Sequence, residues 1–125
     1  MNSEIVPFDI KLRNKSRLLQ LIYEGYSFEL PFEFLRVYSP SAEVKGHSPS
    51  QRTLQLNKVS VSIKNVEFVG TYAIRIIFDD GHDTGLYSWE YLKYLGDSYE
   101  ELWKEYLSAI KEAGYRREDW LGEKV

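Results

Sequence analysis

At 125 residues the chain is short for more than one domain, yet long enough to bury roughly two-thirds of its unfolded surface without cross-links. Its 43% hydrophobic and 28% charged residues suit a globular protein, and a net charge of −3 argues against general attraction to nucleic acid or anionic lipid. The absence of cysteine excludes disulfides, thiolate catalysis, iron–sulfur ligation and cysteine zinc sites. No apolar run reaches 18 residues and Met1–Asp9 lacks a basic, apolar leader pattern, so a cytoplasmic protein with no membrane or nucleic-acid partner is expected.

In chain order, Asp9–Leu12 and Arg17–Tyr23 read as strands joined by the turn formers Arg13-Asn14-Lys15-Ser16. Glu24-Gly25 turns into Tyr26–Leu30, whose apolar and polar side chains alternate as in a strand with one wet face. Pro31 suits the first turn of a helix over Phe32–Tyr38. Serines, prolines and a glycine punctuate residues 39–58, which read as one long loop. Val59, Val61 and Ile63 then alternate with polar residues, and the pattern resumes through Val69 after an irregularity at Asn65.

Tyr72–Phe78 is an apolar run with one charge, Arg75, followed by Asp80-Gly81, which suits a two-residue hairpin turn before a strand over Thr84–Tyr87. Ser88 can cap a helix from Trp89 that stops at Gly96. Ser98 and Glu101 form a capping-box pattern, and Leu102, Trp103, Tyr106, Leu107, Ile110 and Ala113 recur at helical spacing up to Gly114. The fold class predicted is α+β: two antiparallel meanders of three strands, a short helix after the third strand, and two C-terminal helices on the sheet. One domain spans 1–125, with its core over about 9–113 and a frayed tail over 115–125.

Asp79, Asp80, His82 and Asp83 are the densest set of metal-competent side chains, but acidic residues beside Gly81 are also what turns are made of. His47, in the long loop, is the only other histidine, and no nucleophile–base or phosphate-cradling pattern accompanies either. Arg75 in a central strand calls for a carboxylate, with Asp80, Asp83 or Glu90 as candidates. Trp89 and its neighbouring tyrosines suit a helix–sheet core or an aromatic contact patch.

Three segments, Leu35–His47, Val66–Arg75 and Phe78–Leu92, resemble the DUF971 family, which is similar to the amino-terminal domain of γ-butyrobetaine hydroxylase. In the hydroxylases that small α+β domain holds a structural zinc through three cysteines and one histidine. The resemblance places His82 at the histidine position, Ser39 and Ser41 at two cysteine positions and the third near Val44. Hydroxyls and an aliphatic side chain do not replace thiolates, so neither zinc nor any other cofactor is carried over. The oxygenase chemistry belongs to a domain outside this match. Related domains fused to P-loop ATPases resembling iron–sulfur carriers imply an accessory role.

The function expected is therefore a standalone, non-enzymatic protein-interaction domain linked to iron–sulfur cluster handling. Its partner would be a carrier ATPase or a second copy of the chain. The candidate surface comprises Arg36, His47, Arg75, Asp80, His82 and Trp89. The alternative is a small-ligand or metal-binding domain using His82, His47 and the nearby aspartates.

Overall fold

Side-chain alternation builds the first sheet. In the computed structural model, which describes residues 5–45 and 53–121, β1 (Asp9–Arg13), β2 (Leu18–Tyr23) and β3 (Tyr26–Pro31) pair antiparallel in that order. Leu19, Leu21 and Tyr23 send one face of β2 into the core, while Gln20 sits opposite Lys11 and Glu29 on the other. Gly25, at φ +84°, makes the tight turn between β2 and β3, a backbone state that strains residues with a Cβ.

The second sheet comprises β4 (Ile63–Val69), β5 (Ala73–Phe78) and β6 (Leu86–Ser88), again antiparallel in chain order. β4 starts later than the alternation from Val59 suggests. Its partner β5 ends at Phe78, opposite Ile63. The residues before Ile63 are held instead by the Arg17 guanidinium, which donates to the carbonyls of Val59 and Val61 and, at 2.8 Å, to Ser62 Oγ, and by Asp79, whose N–H donates to Ser62 O at 2.9 Å. The expected irregularity is present as a register shift between Ile63 and Asn65. The expected two-residue turn at Asp80-Gly81 is not: β5 ends at Phe78, and residues 79–85 separate it from β6.

The helices are α1 (Phe32–Val37), α2 (Ala42–Lys45), α3 (Trp89–Asp97) and α4 (Tyr99–Glu112). All six residues of α1 are buried, so its two charged side chains, Glu33 and Arg36, must find partners inside the fold. α2 lies in the stretch read as loop; Ser41 Oγ accepts the Glu43 N–H at 3.1 Å and supports its first turn. Ser88 caps α3 as expected, accepting from the Tyr91 N–H. The capping box at Ser98 does not form, because Ser98 ends α3 and starts α4 at once: its φ of −109° and ψ of 14° are not those of an extended cap, and its N–H already donates to Tyr94 O.

One core joins both sheets to α1 and α3, with Leu102 of α4 at its margin; Val37, Tyr106 and Ile110 form a second cluster under α4. Residues 115–121, read as part of a frayed tail, include a 3-10 turn over Arg117–Trp120. It is anchored by Arg117, which donates to both carboxylate oxygens of buried Glu33 at 2.5 and 3.1 Å. Arg117→Ala leaves that carboxylate buried without its ion partner, and should lower the unfolding free energy in a urea titration by about 2 kcal/mol. No helix among the described residues is long and apolar enough to cross a membrane.

Candidate functional site

Three of the residues singled out by sequence, Arg36, Asp80 and His82, meet in a partly buried polar network between α1, α2 and the β5–β6 connection. His82 is only 6% exposed. Its Nδ1 lies 3.2 Å from Glu43 Oε1 and its Nε2 lies 2.8 Å from Ser39 Oγ. A carboxylate only accepts, so the neutral ring carries its proton on Nδ1 and accepts at Nε2 a hydrogen bond donated by the Ser39 hydroxyl. Burial and the charge of Arg36 push the His82 pKa down, and the carboxylates of Glu43 and Asp80 only partly offset them.

Ser41 Oγ lies 2.7 Å from Thr84 Oγ1, a second bond between the same two segments. These are the positions at which the resemblance would put zinc ligands. The donors present are two hydroxyls already bonded to protein partners, one imidazole with both nitrogens engaged, and the aliphatic Val44, a set that does not fit zinc. Among the described residues, no three histidine or acidic side chains converge as a metal site. Ser39, His82 and Glu43 stand in the order of nucleophile, base and orienting acid, but Ser39 has no exposed surface. A Cβ on Gly85 would come within 2.6 Å of its Oγ, so that hydroxyl is closed to substrate.

A histidine whose pKa is lower folded than unfolded binds more protons unfolded, so its contribution is present above pH about 6.5 and fades as pH falls toward the folded value. Urea midpoints should therefore drop on acidification below pH about 6.5, and a His82→Asn variant should lack that component.

Arg36 and Asp80 form the second part of the network. Arg36 is 7% exposed, and its Nε donates to Asp80 Oδ2 at 2.9 Å while its Nη1 donates to Gln55 Oε1 at 2.9 Å. Lys58 Nζ reaches the same Asp80 oxygen at 2.8 Å, and the His82 N–H reaches Oδ1 at 3.2 Å. Both arms of the long connection are thus pinned. Ser39, Ser41 and Glu43 hold the outgoing arm to residues 82–84, and Gln55 and Lys58 hold the returning arm to Arg36 and Asp80. The Thr53 N–H joins the arms by donating to Val44 O at 2.8 Å.

Beside these arms lies a groove of about 560 Å³, lined in part by Val37, Tyr38, Leu54, Tyr91, Leu102 and Tyr106, with Lys45 and Glu105 among the polar residues. Three tyrosine hydroxyls at its walls donate to backbone carbonyls: Tyr38 to Leu102, Tyr91 to Tyr38 and Tyr106 to Gln55, at 2.5–2.7 Å. Sequence reasoning missed Ser39, Ser41, Glu43, Gln55 and Lys58 as parts of a site derived from residues alone, because short polar side chains among prolines read as loop. The alternation of Leu54 and Leu56 was the available sign that the returning arm is packed.

Arg75 and Trp89 lie outside this network. Arg75 pairs across the sheet with Glu67 at 2.8 Å, a carboxylate the sequence reading did not name, and its Nη1 donates to the Asp83 carbonyl and lies 3.7 Å from the Asp83 carboxylate, one of the expected partners. Trp89 is 5% exposed and donates Nε1–H to Thr71 O at 2.8 Å, placing it in the core. His47 lies outside the described residues.

Three solved structures are similar to this chain. One, determined by NMR in solution, is 46% identical with a TM-score of 0.79, covering 90% of this chain and 89% of that one. A second NMR structure is 45% identical with a TM-score of 0.74, covering 87% and 82%. A crystal structure of a protein of unknown function of the DUF971 family from Acidithiobacillus ferrooxidans is 33% identical with a TM-score of 0.61, covering 77% and 98%. No curated protein matches. A family model described as γ-butyrobetaine hydroxylase-like, N-terminal, matches residues 10–93, and with the DUF971 likeness it shows that the chain belongs to this family of domains of unknown function.

Proposed function

We propose that this chain is a non-enzymatic accessory module that binds a protein partner through the groove between α1, α3, α4 and the arms of the long connection. The observation that carries this reading is the pairing of a pinned framework with a tyrosine-lined groove. Arg36, Asp80 and His82 act as internal struts rather than as the contact surface, fixing the arms whose residues Lys45, Thr53, Leu54 and Gln55 form one wall. Because the Tyr38, Tyr91 and Tyr106 hydroxyls at the walls already have carbonyl acceptors, these residues offer ring faces at little cost in polar desolvation.

The non-enzymatic part of the reading is supported by the closure of the Ser39 hydroxyl and by membership of a family named for the amino-terminal domain of the hydroxylase. The finer reading, that the partner is an iron–sulfur carrier ATPase, is supported by the fusions the resemblance implies. A pull-down from bacterial lysate should compare the wild type with a Leu54→Asp, Tyr94→Ala variant. Loss of a wild-type partner in the variant is the expected result, and identical partner lists would overturn the groove as the binding face.

A further inference from the structure

Resting on the groove as binding face, we infer that its partner is a basic amphipathic helix of about three turns, which seats apolar side chains in the groove and lays Lys or Arg along α4. Glu101, Glu105 and Glu112 are exposed and line, with Lys104, Ser108 and Ala109, a shallow depression on α4. Glu105 and Ala109 also line the main groove, so the two surfaces are continuous.

The spacing 101, 105, 109, 112 follows one stripe of a helix, adjacent to the stripe Leu102, Tyr106 and Ala109 that walls the groove. Eleven residues of rise make that stripe about 16 Å long, which a partner helix of about three turns would match. Among the described residues none of the three glutamates has an ion-pair partner, as is also true of exposed Glu24, Glu29, Glu90 and Glu100, but only these three lie together beside the groove. Glu101 and Glu105 are moreover like charges at i and i+4, an arrangement that weakens an isolated helix. A cationic row opposite them removes that repulsion and adds steering, while apolar side chains in the groove supply most of the affinity. Lys45, on the opposite wall, disfavours cations there and sets which way the basic face turns.

The test uses two designed 14-residue amphipathic peptides of equal length, one of Leu and Lys and one of Leu and Glu, titrated into the full chain by fluorescence anisotropy at two salt concentrations. The Leu/Lys peptide is expected to bind at least ten-fold more tightly than the Leu/Glu peptide. Its affinity should fall with salt, and should fall at least ten-fold in a Glu101→Lys, Glu105→Lys variant whose thermal unfolding shows it to be folded. Equal affinity for the two peptides, with both lost in a folded Leu54→Asp variant, overturns the charge inference and leaves the groove standing. Undiminished binding of the Leu/Lys peptide to Leu54→Asp overturns the groove itself, because surface charge alone would then account for it. Binding of neither peptide overturns this inference, and the pull-down then decides the groove separately.

Discussion

Asp80→Ala should lower the unfolding free energy by about 3 kcal/mol, because it leaves the buried Arg36 guanidinium without its ion partner and keeps only the neutral Gln55 oxygen beside it. The same change releases Lys58 and the His82 N–H, so a mixture of ion-pair and hydrogen-bond losses is removed at once. Burial pushes the Asp80 carboxyl pKa up, but hydrogen bonds from Lys58 and the His82 amide, with the charge and hydrogen bond of Arg36, outweigh it and bring the value down to about 2. A carboxyl depressed in the folded state binds more protons when unfolded. Its contribution is therefore complete above pH about 4 and is lost as pH falls through about 2. Urea unfolding between pH 5 and 2 checks both points: the wild type should show this acid-dependent loss, and Asp80→Ala should begin low and lack it. A variant as stable as the wild type at pH 7 would show that the network is not a strut.

Gly96→Ala tests a different kind of constraint. In an open helix this change would gain up to about 1 kcal/mol of helix propensity. Here a Cβ at position 96 would lie 2.3–2.5 Å from the Phe28 ring, including Cγ, the ring atom nearest the backbone. The ring cannot swing aside at its far end alone, so β3 and α3 must separate. We expect a net loss of about 2–3 kcal/mol by urea denaturation. Phe28→Ala in the same background should recover part of it by removing the obstacle, and a neutral or stabilising Gly96→Ala would refute the contact.

The Gly96 contact also shows where sequence reading reaches its limit. Gly96 near a helix end has the form of a C-terminal cap, and nothing local says that its missing side chain makes room for an aromatic ring 68 residues earlier. The six strands, by contrast, were legible because alternation and turn residues are local, and both meanders follow from chain order. The apolar stripe of α4 was legible for the same reason, whereas its start was not: Ser98 serves two helices, which no capping pattern records.

At the site, the resemblance drew attention to His82 and to Ser39 and Ser41, but the residues alone suggested a solvated turn. His82 is buried because a partner hydroxyl lies 43 positions earlier, and long-range complementarity of that kind leaves no periodic trace. Arg36 and Asp80 were chosen separately as surface contacts, and the structure pairs them as each other's counter-charges. The acidic row on α4 passed unnoticed since carboxylates on the wet face of an amphipathic helix are ordinary; only the adjoining groove gives them a shared direction.

The Ser39–His82 bond ties α1's exit to the β5–β6 connection using an alcohol and an imidazole. A thiolate clamp at such a junction is open to chelators and peroxides. A joint made of these two groups offers an oxidant no sulfur to attack. The framework that shapes the groove therefore answers to acidity, through the His82 ring and the Asp80 carboxylate it contains.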